Sequence, residues 1–164
     1  MAKATAFVDA SPLIGLAYVG GLGWLPRLYG TAFVTQTVRD EVLPGRGLPG
    51  ESAIRGALRR RHIRLLRLKP TEPVFPELDD GEASTLRAAL EHGDGALVVV
   101  DDLAARKVAG QRRIPYTGTA GVIIEAKRAR LIRSARPVFE RLAQTDFRLS
   151  HQVVEEILTE LGER

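Results

Sequence analysis

Ala96-Leu97-Val98-Val99-Val100 runs five apolar residues without a polar break and is followed at once by Asp101-Asp102. A short, β-branched, uninterrupted apolar run reads as a strand buried on both faces, the habit of a parallel sheet covered by helices. Working outward, Ala4–Val8 repeats the pattern and is closed by Asp9. Thr31–Thr35 reads as a further strand, Ile63–Leu68 as a half-buried edge strand, and Ile114–Tyr116 as a short one. Helical spacing fills the gaps: Leu13–Val19, Trp24–Tyr29, Val38–Leu43, Glu51–Arg61, Glu82–Glu91, Leu103–Gln111, Thr119–Ala129, Ala135–Gln144 and His151–Leu161. Ser11-Pro12 reads as a helix start, with Ser11 as N-cap. Strand–helix alternation of this kind predicts one α/β domain over residues 1–164, a three-layer α/β/α fold around a central, mainly parallel sheet. There is no internal repeat and no long linker.

The 164 residues include no cysteine, which excludes a disulfide framework, a thiolate zinc site and a cysteine nucleophile. With 45% hydrophobic and 27% charged residues the chain is too apolar for a disordered one. No apolar run approaches the roughly 18 residues of a spanning helix, and no signal peptide is evident, so the expectation is a cytoplasmic protein without membrane contact.

The net charge of +4 is unevenly spread. Glu72–Asp102 holds nine acids and one base, Arg87, a net −8 that leaves +12 for the rest. Arg55–Lys69 carries six arginines and one lysine with no acid. Charge runs are usually solvated faces. An acidic island in a basic protein nevertheless repels phosphate, so it either faces away from a polyanion or holds cations.

Ligands of open parallel sheets bind beyond the carboxyl ends of the strands. Two strands here end in aspartate, at Asp9 and at Asp101-Asp102. The helix after the second strand supplies Glu41, and the helix before Ala96 supplies Glu82, with Asp79 and Asp80 just ahead. Carboxylates gathered at one rim repel one another unless protons or cations join them. Oxygen-only ligands favour Mg²⁺ or Mn²⁺, which activate water for in-line phosphoryl displacement. Plainer readings stand beside these. Asp9 can cap the first helix, and Glu41 can be a solvated helix acid. Asp79 and Glu82, three apart, fit a capping box. One of Asp101 and Asp102 can cap the next helix while the other serves the site. His62, His92 and His151 lack metal-ligand spacing and read as surface or structural. Gly45–Ser52 has the glycine spacing of a phosphate loop, but Glu51 stands where its lysine must be.

The segments Val8-Asp9-Ala10-Ser11-Pro12-Leu13-Ile14, Val38-Arg39-Asp40-Glu41-Val42, Asp80-Gly81-Glu82-Ala83, Val99-Val100-Asp101-Asp102 with Arg106 and Ala109, and Thr117-Gly118-Thr119-Ala120-Gly121 with Ala126-Lys127 occur in an order that resembles PIN-domain proteins. The resemblance runs from Phe7 to about Gly162. It is nearest the VapC-like branch that opens with Asp-Ala-Ser-Pro-Leu-Ile and carries Gly-Glu in the middle helix. It implies a Mg²⁺- or Mn²⁺-dependent ribonuclease, the toxin of a toxin–antitoxin pair. It further implies a homodimer and a small antitoxin whose C-terminal segment occupies the acidic groove. By position, Asp9 is the first metal ligand and Glu41 the second acid. Glu82 takes the middle place, where commoner members have aspartate, with Asp80 as its alternative. Asp101 or Asp102 takes the last. Ser11 and the backbone N–H groups of Gly118 to Gly121, Thr119 among them, are candidates to hold a phosphate or orient an acid. Arg106 is a candidate to pair with the acids or contact RNA, and Arg55–Arg67 to guide the strand. Two other functions compete. One is a PIN fold without activity that works as a binding module. The other is a phosphotransfer enzyme with Asp9 as nucleophile, which would need a second aspartate where Ser11 stands.

Overall fold

The computed structural model describes residues 3–163. Its elements run β1 (Thr5–Val8), α1 (Ala10–Tyr18), α2 (Trp24–Tyr29), β2 (Thr31–Thr35), α3 (Gln36–Val42), α4 (Glu51–Arg59), β3 (Arg64–Leu66), α5 (Asp80–His92), β4 (Ala96–Val99), α6 (Leu103–Gln111), β5 (Tyr116–Thr117), α7 (Thr119–Arg128), α8 (Arg136–Ala143) and α9 (His151–Glu160). The five strands form one sheet in the order β3-β2-β1-β4-β5, every pairing parallel.

Side chains of successive strand residues point to opposite faces, so each central strand feeds two cores. On β1, Ala6 and Val8 join a core with Leu13 and Leu16 of α1, Ile54 of α4, Val122 of α7, Phe139 of α8 and Leu158 of α9. Phe7, between them, faces Leu86 and Ala89 of α5 and Ala105 and Val108 of α6. Val98 and Val99 on β4 divide in the same way. Helices therefore cover both faces, and the fold is the expected three-layer α/β/α arrangement. Trp24, Tyr29 and Phe33 are half-buried against these cores. Among the described residues no helix is long and apolar enough to cross a membrane.

Three local readings change. Helix α1 begins at Ala10, so its N-cap is Asp9 rather than Ser11. Pro12 falls in the first turn, where its missing N–H is one that the helix leaves unbonded anyway. Strand β5 is Tyr116–Thr117 rather than Ile114–Tyr116, because Ile114 finishes α6: its N–H donates to the Ala109 carbonyl at 2.9 Å and its side chain is buried. Helix α3 starts two residues early, at Gln36, because Thr35 caps it.

Thr35 also ties two helices together. Its Oγ1 accepts the Val38 N–H at 3.1 Å and lies 2.7 Å from Ser84 Oγ on α5. Ser84 donates to the Gly81 carbonyl at 2.8 Å, so the proton between the hydroxyls comes from Thr35. The chain Val38–Thr35–Ser84–Gly81 fixes the start of α3 against the start of α5 inside the protein. Thr35→Val removes the cap and the buried bond at near-constant volume. We expect a loss of about 1–2 kcal/mol of unfolding free energy, measurable by urea denaturation.

Candidate active site

The chain leaves β1 in one direction for β2 and β3 and then returns to β4 on the other side of β1. Such a reversal opens a crevice at the carboxyl ends of the two strands. Val8 is level with Val99, and the Asp9 N–H donates to the Val99 carbonyl at 3.0 Å. The register thus sets Asp9 level with Val100, with Asp101 one residue beyond, and both line the crevice.

Asp9 is buried, with 5% of its surface exposed. Around it stand Glu41 from α3 and Asp79 and Glu82 from the start of α5; these three are the charges that act on its carboxyl. Gly81 makes the gathering possible. A Cβ at that position would lie 2.8 Å from Glu41 Oε2, 3.4 Å from Asp9 Oδ1 and 3.5 Å from Asp79 Oδ1. Three carboxylate oxygens on three segments therefore surround one point that any larger residue would fill.

Asp101 is held differently. Its Oδ1 accepts the Thr119 N–H at 2.8 Å, and its Oδ2 accepts the Thr119 hydroxyl at 2.7 Å and the Ser11 hydroxyl at 3.4 Å. The N-terminus of α7 faces it, which favours a negative charge. Arg106 Nη2 stands 3.8 Å from Asp101 Oδ1, while Arg106 Nε donates to the Val100 carbonyl at 3.0 Å. A side chain at Gly118 would collide with Arg106 Nη2 and come within 2.6 Å of Asp101 Oδ1. Ser11, Arg106, Gly118 and Thr119 are thus brought together around the acid, which is the acid-orienting one of the two roles expected of them. Thr119 is fully buried and spends both donors on Asp101, so it orients the carboxylate and does not meet a ligand.

Capping geometry separates the doublets. Asp102 caps α6, accepting the Ala105 N–H at 3.1 Å, and its charge also acts on Glu82, while Asp101 is bound by Thr119 and Ser11 at the same cleft. Asp79 and Glu82 form a reciprocal capping box at 2.8 and 3.1 Å. Asp80, the first residue of α5, is exposed and is not among the charges that act on Asp9, Glu41 or Glu82. Asp79 occupies the place proposed for it. The sequence placed Asp79 both in a capping box and just ahead of Glu82 among the acids, and it is both cap and cluster member.

These residues line a cleft of about 660 Å³. Asp9, Ser11, Glu82, Asp101, Asp102 and Arg106 form one side; Asp146, Phe147, Arg148, Leu149 and Val153 form the other. The second wall was not foreseen. It is an irregular link between α8 and α9, with no periodicity to mark where it folds back. The histidines lie elsewhere: His62 beside Gly23, His92 against the Phe7 ring and His151 beside Glu155. Glu51 is buried and accepts the Arg46 N–H at 3.3 Å, so it closes the glycine loop and offers nothing to a phosphate.

The electrostatics follow from crowding. Burial pushes Asp9 up to about 7, with Asp79, Glu82 and Glu41 adding to it against the Ala10 N–H. Burial and Asp79 raise Glu41. Burial raises Glu82 too, helped by Asp79, Asp102 and Glu41 and opposed by the Asp79 N–H. Among the described residues, Asp9, Glu41, Asp79 and Glu82 make no ion pair. As placed, no three acids or histidines among the described residues are close enough to share a metal ion. The donor set still suits one: all oxygen, four acids from three segments, and a cradle at Gly81 kept free of side chain.

Residues 5–163 match the model of a family described as a PIN domain. Among curated proteins none matches the chain.

A carboxyl whose folded-state pKa is raised binds more protons folded than unfolded, so its contribution falls as pH rises between the two values. For Asp9 that window runs from 3.8 to about 7. In EDTA, the protein is expected to lose roughly 2–3 kcal/mol between pH 5 and pH 8 through this group. Asp9→Asn should flatten most of that slope, as measured by urea unfolding at the two pH values.

Proposed function

The chain belongs to the PIN-domain family, a family of nucleases, and from that premise we propose that it is a divalent-metal-dependent endoribonuclease. The observation that carries this reading is the cradle at Gly81, where carboxylate oxygens of Asp9, Glu41 and Asp79 face one point. Glu82 and Asp101 line a cleft together with Asp9. These oxygens would hold Mg²⁺ or Mn²⁺. A divalent cation bound there lowers the pKa of a water and offsets charge in phosphoryl transfer. The chain's own residues do the rest. Thr119 and Ser11 hold the Asp101 carboxylate and aim it. Arg106, half-exposed in the cleft, is placed to meet a phosphate. Burial of Asp9 limits water around the acids and strengthens their hold on a cation.

The toxin role, small antitoxin and homodimer implied by the resemblance belong to the same proposal. In its support, Tyr18 and Leu48 are exposed beside a second opening of about 450 Å³ that also contains Glu41. An apolar partner segment entering there would reach the acids. An aspartate-nucleophile enzyme is disfavoured, because the position two after Asp9 is Ser11, whose hydroxyl serves Asp101.

Cleavage of total RNA should require Mg²⁺ or Mn²⁺ and stop in EDTA. Asp9→Asn and Asp101→Asn should each lower the rate by about 100-fold or more. Undiminished cleavage in EDTA and in both variants would overturn the proposal. Gly81→Ala separates site from fold. Alanine favours a helix by about 1 kcal/mol over glycine, and the atom that it meets first is the end of the flexible Glu41 side chain. Stability should hold while Mn²⁺ affinity falls, as read by calorimetric titration; an inert binding module would show no Mn²⁺ binding in either protein.

A further inference from the structure

The chain carries a second charged cleft away from the acids. It encloses about 670 Å³ between α3, α4 and β3, and Arg39, Arg55, Arg59, Arg61, Arg64 and Arg67 line it. The other lining residues are apolar, and no acid is among them. Among the described residues, Arg59, Arg61, Arg64 and Arg67 make no ion pair. Arg55 reaches Glu51 only at 3.8 Å. Arg39 Nε is buried without a hydrogen-bond partner, although it lies 2.9 Å from Asp40 Oδ1, because the angle is wrong for one. Guanidinium groups left open along a groove match the spacing and charge of phosphates.

Arg61, in the groove lining, follows α4 at φ 59°, the left-handed conformation in which glycine is favoured at helix ends. The chain places an arginine there at some conformational cost, as it does at Arg113 and Arg130.

The groove is connected to the acids by geometry. Arg39 and Glu41 are two residues apart on α3, about 200° around the helix, so α3 presents one to the groove and the other to the acid cluster. Strand β3 lies two strands from β1, about 10 Å across the sheet. Arg67 follows β3 at the same carboxyl edge that carries Asp9.

We propose that this arginine groove is a docking track for the phosphate backbone of the RNA strand, separate from the acidic cleft and feeding it over α3. The identity of the strand as RNA rests on the nuclease reading; the polyanion site does not. No aromatic residue lines the groove, so it offers no stacking platform and recognises backbone without base preference.

The test is binding, not cleavage. A fluorescent single-stranded RNA is titrated in EDTA against Asp101→Asn protein at several salt concentrations. Adding Arg61→Gly and Arg67→Gln should weaken binding about 10-fold at low salt and reduce the slope of log K against log salt by about 1.4, at roughly 0.7 per phosphate contact. Arg61→Gly relieves backbone strain, so thermal stability should not fall. Arg130→Gly relieves the same strain outside the groove and should leave binding unchanged. On unmodified protein, RNA should protect the Arg55–Arg67 segment from phenylglyoxal. Unchanged affinity in the double variant, or protection confined to other arginines, overturns the groove while leaving the nuclease reading intact. Protection by a polyglutamate peptide but not by RNA overturns it in favour of an acidic protein partner. Groove binding retained in a protein that, unsubstituted and supplied with Mg²⁺ or Mn²⁺, cleaves no RNA would instead count against the nuclease reading alone.

Discussion

Everything at the crevice depends on one buried carboxylate that the protein does not neutralise. Asp9 follows β1 directly, donates its N–H to β4 and is then closed in by α3 and α5. Burial removes water from its charge, and three further acids surround it. A natural fold rarely leaves such a charge without a partner. Asp101, one strand away, shows the ordinary solution: two donors from Thr119, a hydroxyl from Ser11 and a guanidinium nearby. The contrast between the two neighbours is the physical signature of the site. One acid is satisfied by the chain, and the other is left for a mobile cation or a proton.

Two glycines make this contrast possible by the room they leave rather than by their backbone angles. At Gly81 a Cβ would displace the oxygens of Glu41, Asp9 and Asp79. At Gly118 it would separate Arg106 from Asp101. Each lies at the start of a helix that positions acids, α5 in one case and α7 in the other. The serine–threonine relay from Thr35 to the Gly81 carbonyl then locks the first cradle to α3, and so to Glu41.

The sheet, its two cores and the strand-end acids were legible because they follow from local pattern. Continuous apolar strands can only be covered on both faces, and an aspartate after such a strand can only fall at its carboxyl end. What could not be read depends on which of several local bonds wins. Ser11 looked like a cap, but Asp9 begins the helix and frees the Ser11 hydroxyl for Asp101. In the pair Asp101-Asp102 it is Asp102 that takes the Ala105 N–H, a choice that two adjacent aspartates do not reveal. Asp79, read as a cap beside the gathered acids, takes the place expected of Asp80, because the capping box turns its carboxylate toward Asp9 while Asp80 faces solvent. The wall formed by residues 146–149 is tertiary in origin: its neighbours in space lie more than a hundred residues away in the chain, at Asp9 and Ser11.

The charge pattern acquires its meaning only in three dimensions. With 24 basic residues in the chain, the simplest way to stabilise Asp9, Glu41, Asp79 and Glu82 would be to turn arginines toward them. Arg106 and Arg148 line the cleft, but among the described residues only Arg106 pairs with one of its acids, and that is the acid already satisfied. Six arginines are gathered instead on the far side of α3. Arg39 and Glu41, two residues apart, keep their charges apart because a helix turns about 100° per residue. A protein that only needed stability would let these charges meet. On the proposed reading, segregation keeps the acids free for a cation and the arginines free for phosphate, with α3 as the partition between them.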